Sequence, residues 1–275
     1  LVEAVLIPAS PGLRGERGER MTLCVSSQVG CAYGCRFCAS GLDGWTRDLE
    51  AGEIVGQLLE VERQSGARVD NVVFMGMGEP LANYQQVMLA AAILNAPWGC
   101  GIGARRITIS TSGLAPRIRQ LAAEPLQLRL AVSLHGASDA VRERIMPVNR
   151  RYPLAELFDA CAEWNRLRRQ KLSFEYILIA DVNDSLDEAR ALAAAARRLR
   201  AKVNLIPYNT VDGLEWRRPP LPHQQRFLAQ LTTRGVQATL RREKGHDIEA
   251  ACGQLRRQSP GATSGHPRVT EKIAR

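Results

Sequence analysis

A chain of 275 residues that is 45% hydrophobic can bury one sizeable core, and no run in it approaches the about eighteen apolar residues of a membrane-spanning helix, so a soluble protein is expected. The 37 Lys and Arg against 28 Asp and Glu leave a net charge of +9, which favours a polyanionic partner such as nucleic acid without naming one. Seven cysteines, an odd number behind no apolar secretory segment, argue against a disulfide framework and for a cytoplasmic protein whose thiols serve as ligands or reagents.

In chain order, residues 2–7 read as a strand, ended by Pro8 and a charged loop from Arg14 to Arg20. The chain opens on Leu1 and not Met, and an accessory domain ahead of this N-terminal segment, residues 1–20, is expected to be missing. A second strand, 21–26, delivers the chain into a cysteine loop at 31–38. Beyond it a unit repeats: a β-branched run, a turn, an amphipathic helix. Strands are expected over 71–75, 106–110, 127–134, 173–179, 203–206 and 236–241. Helices are expected over 50–63, 84–94, 114–123, 154–168, 186–199 and 222–233, with a short one from Asp139. Helix 50–63 places Ile54, Leu58 and Val61 on one face and Glu50 and Glu53 in the first turn, where the helix dipole favours acids. Helix 186–199 starts on a capping box of Ser185 with Glu188. Such alternation means an α/β protein with a parallel sheet. About six β/α units suit a partial, partly open (β/α)6 barrel over 21–255, with the N-terminal strand as an extension, better than a flat doubly wound sheet. After Gln254 the sequence turns rich in Arg, Ser, Gly and Pro, and residues 256–275 are expected to be a disordered tail.

Cys31, Cys35 and Cys38 stand at C-x3-C-x2-C spacing. Three thiolates leave one iron of a [4Fe–4S] cluster open to a substrate, whereas four would close a zinc site, and Cys24 seven residues upstream keeps structural zinc open as an alternative. Four polar segments fall at the C-terminal ends of expected strands, where parallel α/β folds collect their chemistry: 76–80, 110–113, 133–136 and 207–209. Gly78 allows close backbone approach and Glu79 can accept hydrogen bonds from an amino group, although the same residues suit a tight turn. Ser110, Ser133 and Asn209 offer neutral groups for a carboxylate or ribose. His135 is either a general base or a histidine satisfied by backbone. Arg166, Arg168, Arg169 and Lys171, the charged loop from Arg14 to Arg20 and the stretch Trp216-Arg217-Arg218-Pro219 are candidate RNA contacts or plain solvated surface.

Read together, these segments resemble one family, the radical S-adenosylmethionine (SAM) RNA adenine methyltransferases of the RlmN/Cfr type. The likeness runs in order from residue 1 to about 255. It rests on Thr22-Leu23-Cys24-Val25-Ser26-Ser27-Gln28-Val29-Gly30-Cys31, Met75-Gly76-Met77-Gly78-Glu79-Pro80-Leu81, Ile109-Ser110-Thr111-Ser112-Gly113, Ser133-Leu134-His135, Asn204-Leu205-Ile206-Pro207-Tyr208-Asn209 and Asp247-Ile248-Glu249-Ala250-Ala251-Cys252-Gly253-Gln254-Leu255. The resemblance implies a [4Fe–4S] cluster on Cys31, Cys35 and Cys38, and SAM contacts at Gly78, Glu79, Ser110, Ser133, Leu134, His135 and Asn209. It implies that Cys252 takes a methyl group from one SAM, and that a radical made from a second SAM activates this methyl for addition to adenine. Glu3 then matches the base that removes the ring proton, and Cys24 the thiol that takes Cys252 into a disulfide and frees the product. The implied product is adenosine methylated at carbon 2, in 23S ribosomal RNA with tRNA as a second substrate, made by a cytoplasmic monomer that draws its electron from a flavodoxin or ferredoxin. Carbon 8 or another RNA is the alternative within this chemistry. A non-catalytic, metal-stabilised RNA-binding module is the alternative outside it.

Overall fold

The structure is a computed structural model that describes residues 2–8, 20–42, 44–211, 213–241 and 269–273. The chain divides into two compact units, one of residues 1–32, 39–109 and 244–275, the other of residues 33–38 and 110–243.

In the first unit β1 (Val2–Pro8) pairs antiparallel with β2 (Met21–Cys24), and β2 pairs parallel with β5 (Asn71–Phe74), which pairs parallel with β6 (Ile107–Thr111). Between β2 and β5 lie a two-stranded antiparallel ladder, β3 (Gln28–Gly30) with β4 (Trp45–Asp48), and helix α1 (Ala51–Ser65). Helix α2 (Tyr84–Asn95) follows β5. The expected apolar face of α1 is the buried one, with Ile54, Leu58 and Val61 all inside. Its first turn is closed by the Glu53 carboxylate accepting the Glu50 N–H at 2.9 Å, and its end by Gly66 at φ +66°, whose N–H reaches the Glu62 carbonyl. The β3–β4 ladder was not expected from the sequence. β3 is only three residues long and β4 is exposed along its whole length, so neither shows the alternation that marks a half-buried strand.

One further strand, β11 (Val269–Ile273), pairs parallel with β1, Val2 opposite Val269 and Leu6 opposite Ile273. It falls inside the stretch 256–275 expected to be a disordered tail, where Val-Thr-Glu-Lys-Ile is a short β-prone run along the edge of β1. Residues 256–268 and 274–275 lie outside the described residues.

The second unit repeats the strand–helix alternation. It contains the end of β6, α3 (Ala115–Ala123), β7 (Arg129–Ser133), α4 (Asp139–Ile145), α5 (Leu154–Arg168), β8 (Ser173–Leu178), α6 (Leu186–Arg198), β9 (Lys202–Pro207), α7 (Leu221–Thr232) and β10 (Ala238–Leu240). Strands β7, β8, β9 and β10 pair in that order, every pair parallel. Trp164, Phe174, Tyr176 and Phe227 are fully buried and fill the space between helices and sheet. The capping box at α6 forms only in half. Ser185 Oγ accepts the Glu188 N–H at 3.1 Å, but the Glu188 carboxylate turns away to the Ala137 N–H at 2.6 Å, the Ser138 hydroxyl and the Tyr176 hydroxyl at 3.2 Å. A carboxylate that can satisfy a buried N–H and two hydroxyls gains more than one closing its own helix turn. No helix of the described residues is long and apolar enough to cross a membrane.

Candidate active site

Cys31, Cys35 and Cys38 stand, each partly exposed, on one eight-residue loop. The second unit grips the loop after Cys35. Arg36 donates its N–H to the Ile145 carbonyl at 2.9 Å, its own carbonyl accepts the Trp216 indole N–H at 2.8 Å, and the Cys38 N–H closes a turn on the Cys35 carbonyl at 3.1 Å. Phe37 is buried edge-on against His135, ring centroids 4.8 Å apart. Among the described residues no group of three or more His, Cys, Asp or Glu is placed to hold one metal ion. The donor set of the loop, three soft thiolates open to solvent, fits an iron–sulfur cluster, which spreads its ligands over several irons. Cys24 does not join that set as the zinc reading would need: it is buried in β2 and packed with Val5 and Met77.

In the first unit the 76–80 segment is built by its neighbours on the strand-end stretch 26–28. The Ser26 hydroxyl accepts the Met77 N–H at 2.9 Å, the Met77 carbonyl accepts the Ser27 N–H at 2.9 Å, and Gln28 Oε1 accepts the Glu79 N–H at 2.8 Å. Gln57 in turn holds both the N–H and the carbonyl of Ser26, at 2.8 and 2.9 Å. Gly78 has φ +97°, and a Cβ on it would stand 2.5 Å from the Gln28 Cβ, so glycine is required there for both conformation and space. Glu79 is buried, with one carboxylate oxygen accepting the Leu81 N–H at 2.9 Å. The turn reading and the ligand reading are thus compatible, since the turn is what fixes the carboxylate.

The same unit brings Glu3 and Cys24 together. Val5 lies opposite Cys24 in the antiparallel β1–β2 ladder, and Glu3, two residues before Val5, points to the same face. Diagonal neighbours of this kind are about 7–8 Å apart, within reach of long side chains. Glu3 is 2% exposed, and its carbonyl accepts the Ser26 hydroxyl at 2.8 Å, which ties it to the residue that shapes the 76–80 turn. Cys252 and the rest of the 247–255 segment lie outside the described residues. The disulfide implied for Cys24 and Cys252 therefore involves a residue outside the described ones.

In the second unit Ser110, Leu134, His135 and Asn209 are buried and Ser133 is half-buried, all at or just past strand ends as expected. His135 does not have the freedom of a general base. Its Nδ1 accepts the Ile177 N–H at 3.0 Å, so the ring is neutral with its proton on Nε2, and burial together with the Arg142 charge pushes its pKa down to about 3.

Arg142 is the residue that the sequence did not reveal. Its position on the short α4 looks like a solvated helix charge, yet it is fully buried. Its guanidinium donates to the Leu134 carbonyl at 3.0 Å, to the Asn149 side chain at 2.9 Å and to the Ser112 carbonyl, and so joins the two strand-end segments 110–113 and 133–136. Burial lowers its pKa to about 10, against the opposing pull of Cys35, Asp139 and Cys161. Gly136 is the one available signal: a Cβ there would come within 2.7 Å of the Arg142 backbone, so the close approach demands glycine.

Three of the candidate RNA contacts bond within the protein. Arg168 is buried and donates to the Leu121 carbonyl at 2.7 Å. Trp216 gives its N–H to Arg36, with the Arg144 guanidinium 5.8 Å above its ring, and Arg218 binds the Tyr208 carbonyl and the Asn209 side chain. Arg166, Arg169 and Lys171 are exposed, and residues 14–19 lie outside the described residues.

Residues 25–193 match the Radical SAM superfamily. The chain is 56% identical over 265 residues to a protein of Akkermansia muciniphila named probable dual-specificity RNA methyltransferase RlmN, covering 96% of this chain and 74% of that one. It is also 56% identical over 266 residues to the probable dual-specificity RNA methyltransferase RlmN 3 of Opitutus terrae, covering 93% and 71%. Its fold superposes with TM-score 0.84 on a radical SAM methyltransferase from Sphaerobacter thermophilus, at 48% identity over 88% of this chain and 72% of the other. The α/β architecture of partial-barrel type expected from the sequence is therefore the radical SAM fold, and the chain belongs to the RlmN family of the radical SAM superfamily.

Proposed function

We propose that this chain methylates a ring carbon of adenosine, carbon 2, in 23S ribosomal RNA and tRNA. The observation that carries the reading is the placement of Glu3 and Cys24 on one face of the β1–β2 ladder beside Met77 of the 76–80 turn. SAM cleavage alone needs no carboxylate and thiol side by side. Release of a base from a covalent link to the enzyme needs both. The relatives' shared name, dual-specificity RNA methyltransferase, supports RNA of two kinds as substrate.

Cys31, Cys35 and Cys38 would hold a [4Fe–4S] cluster, which when bound supplies the electron that cleaves SAM; a flavodoxin or ferredoxin reduces it. Gly78, Glu79, Ser110, Ser133, Leu134, His135 and Asn209 would hold SAM: the Glu79 carboxylate for its amino group, the hydroxyls and amide for carboxylate and ribose, the His135 Nε2–H as a donor. The Cys252 thiolate would take the methyl group of one SAM, which leaves as S-adenosylhomocysteine; that methyl would lose a hydrogen atom to the radical made from a second SAM and bond the ring carbon, the odd electron returning to the cluster. Glu3 removes the proton from the substituted ring carbon, and Cys24 attacks Cys252 to form the disulfide that lets the methylated base leave.

The test is anaerobic reconstitution followed by mass spectrometry of nucleosides from treated RNA. Carbon-2 methyladenosine is the expected product, a carbon-8 product moves the position, and unmodified RNA with a protein that cleaves SAM refutes the reading. Cys24→Ala is expected to keep its iron and accumulate a covalent protein–RNA species on denaturing gels. Loss of iron without an adduct would make Cys24 a structural residue only.

A further inference from the structure

We infer that Trp216 and Arg218 are positioning residues: the strap they form ties the loop carrying Cys35 and Cys38 to Asn209, so that cluster loop and SAM contact are held as one piece. This rests on the proposed roles of the cysteines and of Asn209. The strap runs from Glu215 to Pro219, after β9 and before α7, and every one of its bonds lies within the second unit.

At one end the Trp216 indole N–H donates to the Arg36 carbonyl at 2.8 Å. Arg36 sits between two cluster cysteines, and its N–H is already fixed to the Ile145 carbonyl at the end of α4, at 2.9 Å. Both polar groups of this peptide segment are therefore committed, one to α4 and one to the strap. The Trp216 ring is fixed in turn by Arg144, from that same helix, 5.8 Å above it. In the middle the Arg217 carbonyl accepts the Ala180 N–H at 2.8 Å, which anchors the strap just past β8. At the other end Arg218 uses the fork of its guanidinium on two acceptors of adjacent residues, Nε to the Tyr208 carbonyl at 2.8 Å and Nη2 to Asn209 Oδ1 at 3.0 Å. The second bond holds the Asn209 side chain by its amide oxygen.

The geometry separates two parts of the strap by function. Replacing Trp216 by Phe keeps a ring under Arg144 but removes the indole donor to the Arg36 carbonyl; replacing it by His restores a ring N–H. Replacing Arg218 by Met keeps the aliphatic stem and removes the guanidinium donors to Tyr208 and Asn209. The experiment uses reconstituted protein and reads the electron paramagnetic resonance spectrum of the reduced cluster during SAM titration. Wild type must first show a SAM-dependent change in that spectrum; a wild type without one refutes the proposed function and not the strap. Given that change, Trp216→Phe and Arg218→Met are each expected to load the same iron but to need about three- to tenfold more SAM for half the spectral shift, the worth of one lost hydrogen bond. Trp216→His is expected to recover most of it. In the double variant the losses are expected to fall short of their product, because both act through one strap. The inference is overturned if both single variants titrate as wild type, if the double variant is the full product, or if Trp216→Phe loses iron in proportion to its loss of SAM response.

Discussion

The 76–80 turn and the 133–136 corner carry expected SAM contacts of the same kind, yet they are held by different physics. Around Gly78 and Glu79 the scaffold is neutral: Ser26, Gln28 and Gln57 satisfy backbone groups one by one. Around Leu134 and His135 one buried guanidinium does it from a single point, bonding Ser112, Leu134 and Asn149 at once. A set of neutral bonds fails piecemeal, because losing one leaves the others in place. A buried ion fails as a whole, since its removal strands every acceptor it served and leaves no water to replace it.

The largest expected effect follows from that contrast. Arg142→Met should lower stability by about 4 kcal/mol in urea unfolding, as for a broken buried charge site, and Arg142→Lys should rescue little because one ammonium cannot span three acceptors. A loss under about 1 kcal/mol would mean that water serves those acceptors and would dissolve the contrast. Gln28→Ala, which frees only the Glu79 N–H and the Asp48 carboxylate, is expected to cost about 1–2 kcal/mol. Between these stand the two glycines. Gly136→Ala drives a Cβ to 2.7 Å from the Arg142 backbone, and Gly78→Ala drives one to 2.5 Å from the Gln28 Cβ at a φ of +97°; neither neighbour can swing away, and each change should cost about 3 kcal/mol. A loss under about 1 kcal/mol for either, read from the same unfolding curves, would show that the backbone there gives way.

What could be read in the sequence follows the same division. The turn at Gly78 and Glu79 and the strand-end places of Ser110 and Ser133 were legible because their residue types are tied to turns and strand ends, and the β/α periodicity located every described strand of the second unit. Arg142 was not legible. On a seven-residue helix with Asp139, Glu143 and Arg144 it looks like one more solvated charge, and only packing shows that α4 turns it inward. Trp216 and Arg218 were legible only in part: an aromatic beside guanidinium groups suits RNA stacking, and the sequence does not show that the same donors also bond two carbonyls of the protein itself. Glu188 misled because local capping competes with long-range acceptance, and a sequence shows only the local partner. The β3–β4 ladder escaped because exposed strands leave no apolar pattern.

His135 supplies the smallest expected effect and the one that best separates the charged corner from the neutral turn. Its ring is buried against Phe37, its Nδ1 is occupied by the Ile177 N–H, its carbonyl by the Asn183 amide at 2.7 Å, and Arg142 adds a positive charge nearby. All of these favour the neutral ring, and the folded pKa is pushed down to about 3. In the unfolded chain it returns to about 6.5. Between those values the unfolded chain binds a proton that the folded chain refuses, so stability falls as pH falls through about 6.5, and the full contribution is present only above it. The slope of this term is at most about 1.4 kcal/mol per pH unit, so from pH 7.5 to pH 5.5 wild type should lose about 1.4 kcal/mol more than His135→Asn, whose amide oxygen can still accept the Ile177 N–H without titrating. Urea midpoints of the two proteins at both pH values measure the difference directly. A difference that stays constant with pH would mean that His135 takes up its proton in the folded state, which needs an acceptor or water beside the ring and a guanidinium weaker than its burial implies. Gln28→Ala, made in the neutral turn, should show no such divergence from wild type over the same interval.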